Sequence, residues 1–423
     1  MGQSENSHSA DRTLSRRPFL AAAASLTGIS FLNACASSQS EANTDEAAPE
    51  QTSASPSPTK APKYRGSVSV IPKGQTLEFN PVDPVTVQAK DSKLDSVELQ
   101  TLDAAGKTVK AVGEFNEDKS QWTSTEPLFF NSEYTLTWHA SDPAGGKGTD
   151  SLTFSTVSAA YEADVVLNIV DGAQYGVGQI IQFNFSEPVV NKANLEKAIS
   201  ISGGGNQAGK FRWYSDYMLR YRPQNYWAAN SSVKVQVKML GLDIGNGMIG
   251  NANVTRTFRT GDKRYAFADN NTKTIKLYVN DKLVRENPIT LGNDEWPSVV
   301  GQLVIMEQAE SYYFNPSSLN LEKNDPHYYE PFWATNVSRL TQAGVFVHQA
   351  LPTAFGSIGI ANVSHGCIGM LPEDAKFFFD LFSVGDIVET QHTGYLQADP
   401  DDGYGDWNIP FKNYADENWR GNW

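Results

Sequence analysis

The thiol of Cys367 and the imidazole rings of His348 and His365 are the side chains whose types and spacing could do chemistry together. A thiol attacks as the thiolate, and a nearby histidine can take its proton and return it. Attack on a carbonyl also needs N–H groups that hold the developing oxyanion. Gly366 permits close backbone approach, so the amides of Gly366 and Cys367, with His365 beside them, could form this oxyanion hole. The alternative is a buried structural cysteine with incidental histidines.

Strands and one helix must position these residues. Segments 274–279 and 282–284 alternate apolar residues around the turn Asn280-Asp281, which predicts a hairpin. Further strands are predicted at 302–306 and 344–348, and His348, at the end of the latter, is the natural base. A helix should begin at Pro372, because proline at the first helical position needs no hydrogen-bond donor. Its predicted core face consists of Phe377, Phe378, Leu381 and Phe382.

Composition excludes several classes of protein. The 423 residues suggest two or three domains, and 40% hydrophobic residues suffice for real cores. The net charge of −14 offers no basic face for a phosphate backbone, so no nucleic-acid partner is expected. Two cysteines, Cys35 and Cys367, exclude a disulfide scaffold and a cysteine-rich zinc module.

The N-terminus is predicted to be an export signal, residues 1–34. Arg16-Arg17 precedes an apolar run that ends at Leu32-Asn33-Ala34-Cys35, similar to a twin-arginine signal followed by a lipobox. We therefore expect Cys35 to carry a lipid that anchors the protein to the cell membrane, outside the cytoplasm and facing the cell wall; simple secretion is the alternative. Residues 35–63, rich in Ser, Ala, Glu, Pro and Thr, should form a disordered linker.

Two series of short alternating strands predict a mainly β fold with two tandem β-sandwiches, 64–158 and 159–261. In the second, Asp243, Asn246 and Gly247 form an oxygen-rich loop. Asp243 with backbone carbonyls is a weak calcium candidate. Turn chemistry explains the same residues, and no other cofactor or metal is expected.

Three segments around the candidate catalytic residues resemble those of a known family. The segments 344–348, 364–367 and 372–375 read GVFVH, SHGC and PEDA, and this pattern closely resembles the L,D-transpeptidase (YkuD) family. It is most similar to the actinobacterial, mycobacterial-type branch. The resemblance implies two immunoglobulin-like domains at 64–158 and 159–261, a β-rich catalytic domain at 262–393, and a C-terminal extension at 394–423 that packs on the preceding domains.

The resemblance also implies an activity in cell wall biogenesis. Cys367 would attack the carbonyl between the third residue of a peptidoglycan stem peptide and its terminal D-alanine, forming a thioester. The amine of a diaminopimelate on a neighbouring stem would then close a cross-link between third residues. His348, oriented by a backbone carbonyl, would be base and then acid, and carbapenem β-lactams would be covalent inhibitors. The implied pocket and substrate contacts are His365, Ser364, Ala343, Gly344, Gly369 and a lid tyrosine, Tyr328 or Tyr329.

The sequence departs from the family pattern at five places. Gly369 stands where an asparagine is usual, Leu291 replaces a methionine, and Asn246 replaces a glutamate. The tryptophan that commonly follows the catalytic histidine is missing from 349–353, and 338–343 contains an insertion. Two other functions therefore stay open. One is an L,D-carboxypeptidase that gives the thioester to water, and the other is a non-catalytic wall-binding lipoprotein.

Overall fold

The computed structural model of the protein describes residues 61–319, 321–325 and 328–423. The predicted signal, Cys35 and the linker as far as residue 60 lie outside the described residues. Within the described part, no helix is both long enough and apolar enough to cross a membrane.

The first sandwich packs two four-stranded sheets face to face. Their strand orders are β1-β2-β6-β5 and β4-β3-β7-β8. The predicted alternation is confirmed on β7, where Tyr134, Leu136 and Trp138 all point into the core. The strands are β1 (Ser67–Ile71), β2 (Thr86–Lys90), β3 (Lys93–Leu102), β4 (Thr108–Lys110), β5 (Gly113–Phe115), β6 (Gln121–Ser124), β7 (Glu133–Ser141) and β8 (Lys147–Ser155).

The second sandwich has sheets of order β10-β12-β15-β14 and β11-β19-β16-β13, with a small sheet β17-β18-β9 at one side. Phe183, Val235 and Phe258 are fully buried between the two large sheets. Its elements are β9 (Glu162–Ala163), β10 (Val165–Leu167), β11 (Gln174–Tyr175), β12 (Ile181–Phe185), α1 (Lys192–Ala198), β13 (Ile199–Gly203), β14 (Gly209–Ser215), β15 (Met218–Pro223), β16 (Ser232–Lys238), β17 (Asp243–Gly245), β18 (Met248–Gly250) and β19 (Asn253–Thr260).

The third region is built on a nine-stranded sheet of order β23-β28-β20-β21-β22-β27-β26-β25-β24. Its elements are β20 (Arg264–Asp269), β21 (Thr274–Val279), β22 (Lys282–Thr290), β23 (Gly301–Val304), β24 (Glu307–Phe314), β25 (Phe332–Arg339), β26 (Phe346–Gln349), β27 (Ile368–Met370), α2 (Pro372–Leu381) and β28 (Ile387–Gln391). The mainly β architecture predicted from the sequence is thus confirmed.

The hairpin and the helix predicted in this region are present, and two strands end or begin within their predicted ranges. The strand expected at 302–306 ends at Val304. The β21–β22 hairpin has the expected turn, since Asn280 and Asp281 both have positive φ. Helix α2 begins at Pro372, and Phe378 and Phe382 are buried in the core with their rings stacked at 4.5 Å. The strand expected at 344–348 begins only at Phe346, because Gly344 has a φ of +107° and belongs to a turn.

Residues 394–423, here called the tail, lie against β14 and β15 of the second sandwich. Along β15, Leu219 and Tyr221 face the core, so alternation turns Arg220 and Arg222 to the other face. Arg220 is 1% exposed and pairs with the fully buried Asp406 at 3.1 Å. Because this ion pair is buried, its hydrogen bonds to the tail are needed to offset its desolvation.

Candidate active site

Two adjacent parallel strands bring His348 and Cys367 to the same face of the sheet. In the ladder between β26 and β27, Val347 pairs with Ile368 and His348 pairs with Gly369. Val347 and Ile368 are fully buried in the core. Since neighbouring residues of a strand point to opposite faces, His348 and Cys367 face away from that core.

Both side chains line one cavity of about 360 Å³. Its walls are rich in aromatic rings, supplied by the strand pair β24–β25 and the segment between them. The sequence-predicted residues that line it are Ala343, Gly344, His348, Ser364, His365, Cys367 and Gly369. Of the two tyrosine candidates, Tyr329 lines the cavity, with its ring 5.4 Å from that of His365, and Tyr328 is not part of the wall that the structure describes.

The Cys367 thiol is buried, with 8% of the residue exposed. Its Sγ donates a hydrogen bond to the carbonyl oxygen of Gly344, at 3.6 Å. Burial raises the pKa of the thiol to about 11, although a hydrogen bond from the Phe346 backbone opposes the shift. The resting thiol is therefore protonated at neutral pH.

The imidazole of His348 is held by a backbone carbonyl. Its Nδ1 lies 2.7 Å from the Gln349 oxygen, and because a carbonyl only accepts, we assign the proton to Nδ1. This leaves Nε2 as a proton acceptor. Burial lowers the pKa of His348, more than the hydrogen bond to Gln349 raises it, so the ring is neutral and can act as a base.

The backbone next to the thiol is fixed by two serine hydroxyls. Ser364 donates to the carbonyl oxygen of Cys367 at 2.6 Å, and Ser298 donates to that of Gly366 at 2.8 Å. Gly366 has a φ of +106°, which only glycine adopts easily. Gly366 is not among the residues that line the described part of the cavity, so any role of Gly366 in the reaction is through its backbone.

Sequence reasoning missed Ser298 and Arg339. Ser298 follows Trp296-Pro297 in the segment between two strands, and a single serine gives no signal of its contact. Arg339 is the one permanently charged side chain of the described cavity wall. Arg339 belongs to the sequence insertion at 338–343. Its guanidinium group donates to the carbonyl oxygens of Thr341 and Gln342 in the same insertion, at 2.9 and 2.7 Å.

Gly369 lies between His348 on β26 and Thr290 on β22. A Cβ atom at this position would lie 2.8 Å from Cγ2 of Thr290 and 3.4 Å from Cβ of Ala350. A larger residue at 369 would therefore require Thr290 to move.

The weak calcium candidate has the geometry of a turn. The Asp243 carboxylate accepts the Gly245 amide at 2.7 Å, and Asn246 and Gly247 have positive φ between β17 and β18. Among the described residues, no group of three or more His, Cys, Asp or Glu side chains could hold a metal ion.

Comparisons with known proteins identify the families of two parts of the chain. A model of the bacterial Ig domain matches residues 76–243, and one of the L,D-transpeptidase catalytic domain matches residues 263–390. L,D-transpeptidase 2 of Mycobacterium tuberculosis is 35% identical over 352 residues, which cover 83% of each chain. L,D-transpeptidase 5 of the same species is 25% identical over 84% of this chain and 78% of its own length.

A solved structure of an L,D-transpeptidase in complex with imipenem is 29% identical to this chain. The match covers 53% of this chain and 97% of that one, with a TM-score of 0.48. The match to L,D-transpeptidase 2 shows the family, because it combines 35% identity with coverage of 83% of each chain. The chain therefore belongs to the L,D-transpeptidase family of peptidoglycan cross-linking enzymes.

Proposed function

We propose that this enzyme joins the third residues of two peptidoglycan stem peptides, both diaminopimelate, through a thioester on Cys367. The observation that carries the proposal is the neutral pair in the cavity. A protonated thiol and an unprotonated imidazole, Cys367 and His348, face the same aromatic-lined space. Such a pair can form the nucleophile by transferring one proton when a substrate arrives.

In the first step, Nε2 of His348 takes the thiol proton, and the sulfur attacks the carbonyl carbon of the third residue. The tetrahedral intermediate collapses, and His348 gives the proton to the departing nitrogen of D-alanine. For the oxyanion, we propose the N–H groups of Gly366 and Cys367. Ser298 holds the Gly366 carbonyl, and in a planar trans peptide the Cys367 N–H points the opposite way, away from Ser298.

In the second step, the side-chain amine of a neighbouring diaminopimelate attacks the thioester carbonyl. The amine passes a proton to His348, the C–S bond breaks, and the sulfur takes that proton back. The cross-link is then an amide, and Cys367 is again a thiol. The aromatic rings of Tyr312, Phe314 and Phe332 make the cavity apolar, which favours an amine held by a peptide over free water.

A digest of the products tests this function. Purified protein is incubated with stems that end in D-alanine, and the muropeptides are separated and sequenced by mass spectrometry. We expect dimers linked through third residues, and neither dimers nor tripeptides with Cys367→Ala. Tripeptide monomers without dimers would instead show a carboxypeptidase, and no turnover would show a wall-binding protein.

Inhibition by carbapenems follows from the same thioester chemistry. A relative was solved with imipenem, and the strained β-lactam carbonyl is an acyl donor that a thiolate can attack. We expect imipenem to add its mass to the wild-type protein and not to Cys367→Ala. An adduct on the variant, seen by intact mass spectrometry, would contradict the role of Cys367.

We also propose that a lipid on Cys35 anchors the protein outside the cytoplasm. The support is the segment Leu32-Asn33-Ala34-Cys35 behind an apolar run. In the producing cell, wild-type protein should sediment with membranes, and Cys35→Ala should shift it to the soluble fraction. Equal membrane association of the two would refute the anchor.

A further inference from the structure

The carbonyl group that accepts the hydrogen bond of the thiol belongs to a short turn, 341–345. Thr341 Oγ1 accepts the amides of Gly344 and Val345 at 3.2 and 3.1 Å. Arg339 holds the carbonyl groups of the same turn from the side of the cavity. The direction of the Gly344 carbonyl, and with it the position of the cavity wall at Cys367, depends on how this turn is held.

The tail also contacts this turn. One carboxylate oxygen of Asp402 accepts the Ala343 amide at 2.6 Å. Next to it, Gly403 has a φ of +125°, and a Cβ there would lie 2.6 Å from the Leu340 carbonyl oxygen. The tail backbone is therefore packed directly against the turn.

A buried cation of the second sandwich fixes the tail segment that carries Asp402. Nη1 of Arg220 donates to the carbonyl oxygens of Pro400 and Gly403, at 2.7 and 2.8 Å. Arg220 also pairs with Asp406. The two carbonyl groups flank Asp402 in the chain, so its backbone is held on both sides by one guanidinium group.

We propose that Asp402 is a positioning residue for the reaction: through the Ala343 amide it fixes the turn whose Gly344 carbonyl receives the Cys367 thiol. Arg220 of the second sandwich, the tail and the turn then form one connected path of hydrogen bonds to the cavity. The second sandwich and the tail would thus hold the turn beside Cys367 in position, in addition to separating the active site from other parts of the chain. This inference rests on the proposed function of Cys367.

Three variants of the full-length protein test the proposal. Asp402→Ala removes the acceptor of the Ala343 amide, Asp402→Asn keeps an acceptor oxygen but removes the charge, and Asp401→Ala removes the neighbouring carboxylate as a control. Two rates are measured below the unfolding temperature: acylation by imipenem, and alkylation of Cys367 by iodoacetamide as a function of pH. Alkylation is read on the Cys367 peptide by mass spectrometry, so Cys35 does not interfere.

We expect Asp402→Ala to slow acylation about tenfold, because a small displacement of the cavity wall that faces the substrate lowers the rate of reaction at Cys367. Its alkylation profile should shift to lower pH, because a hydrogen bond from the protonated thiol to Gly344 is lost. Asp402→Asn should return both quantities to within about twofold of wild type, since one acceptor oxygen suffices for the Ala343 amide. Asp401→Ala should equal wild type.

Wild-type acylation and an unshifted profile in Asp402→Ala would overturn the proposal. Equal losses in Asp402→Ala and Asp402→Asn would overturn it too, because the charge or the fold would then be responsible rather than the acceptor. If imipenem fails to acylate the wild-type protein, the proposed function fails instead. The alkylation profiles of the variants then still decide whether Asp402 positions the turn.

Discussion

The hydroxyl group of Ser298 ties the Gly366 carbonyl to the segment that follows β22. It donates to the Gly366 oxygen at 2.8 Å and accepts the Gly292 amide at 2.9 Å. Ser298 is only 2% exposed, so water cannot easily replace either bond. The peptide plane before Cys367 therefore has one orientation, which is the requirement for a preformed oxyanion hole.

We predict that Ser298→Ala slows acylation by imipenem more than it affects binding. Two buried backbone groups lose their partner, at a cost of about 1–3 kcal/mol each, and the peptide at Gly366 is free to turn. Stopped-flow measurements over a range of imipenem concentrations separate the maximal acylation rate from the apparent affinity. Ser151→Ala, an exposed serine of the first sandwich, is the control. An unchanged maximal rate in Ser298→Ala would contradict the prediction.

The resting state of the nucleophile gives a second prediction. The pKa of Cys367 is raised to about 11 and that of His348 is lowered, both by burial. Alkylation of Cys367 should therefore rise about tenfold per pH unit between about pH 7 and 10, because only the thiolate reacts. Iodoacetamide rates corrected with Cys367→Ala measure this. A plateau below about pH 8 would show a preformed thiolate–imidazolium pair instead.

Some of this architecture was predictable because it depends on local sequence. Strand alternation predicted the core face of β7, with Leu136 and Trp138 buried, and the turn residues Asn280 and Asp281 predicted the β21–β22 hairpin. The residue types of Cys367 and His348 limited the chemistry before any contact was known. Each of these inferences needs only a few neighbouring residues, which is why the sequence sufficed.

Other parts depend on contacts between distant segments. Ser298 meets Gly366 across 68 residues, and Asp402 meets Ala343 across 59. No periodic pattern predicts such pairs, because each arises from the order of strands in the sheet and the path of the tail. The choice between Tyr328 and Tyr329 is of the same kind, since outside a regular strand the direction of a side chain follows from packing.

The position that departs most clearly from the family pattern gives a third prediction. Gly369→Asn should lower the unfolding midpoint and slow acylation, because its Cβ would lie 2.8 Å from Cγ2 of Thr290. Overpacking of this kind costs about 1–3 kcal/mol. The measurements are thermal unfolding and imipenem acylation.

Thr290→Ser provides the matched test of the cause. Serine keeps the hydroxyl, which donates to the Ala361 carbonyl and accepts the Val363 amide, and removes only Cγ2. In this background, Gly369→Asn should lose much less stability than in the wild type. Additive effects of the two substitutions would show that contact with Thr290 is not the reason for glycine at 369.

A buried carboxyl group far from the thiol gives the last prediction, on stability. Asp386 is fully buried, and burial raises its pKa to about 7, although hydrogen bonds from Ser383 and the charge of Arg264 oppose this. In the unfolded chain it titrates near its ordinary value of 3.8. Between these two pH values the folded protein binds a proton that the unfolded chain does not, so stability should fall as pH rises from about 4 to about 7 and then level off.

Asp386→Asn should remove this part of the pH dependence, because asparagine does not titrate and its carbonyl oxygen can still accept the Ser383 amide. Thermal unfolding at about pH 5 and about pH 8, on either side of the folded pKa, is compared for the wild type, Asp386→Asn and Asp380→Asn, whose carboxylate is exposed. We expect the midpoint of the wild type and of Asp380→Asn to drop more between the two pH values than that of Asp386→Asn. An equal drop in all three would mean that Asp386 ionises in the folded protein at the same pH as in the unfolded chain, and that its burial is compensated by Arg264.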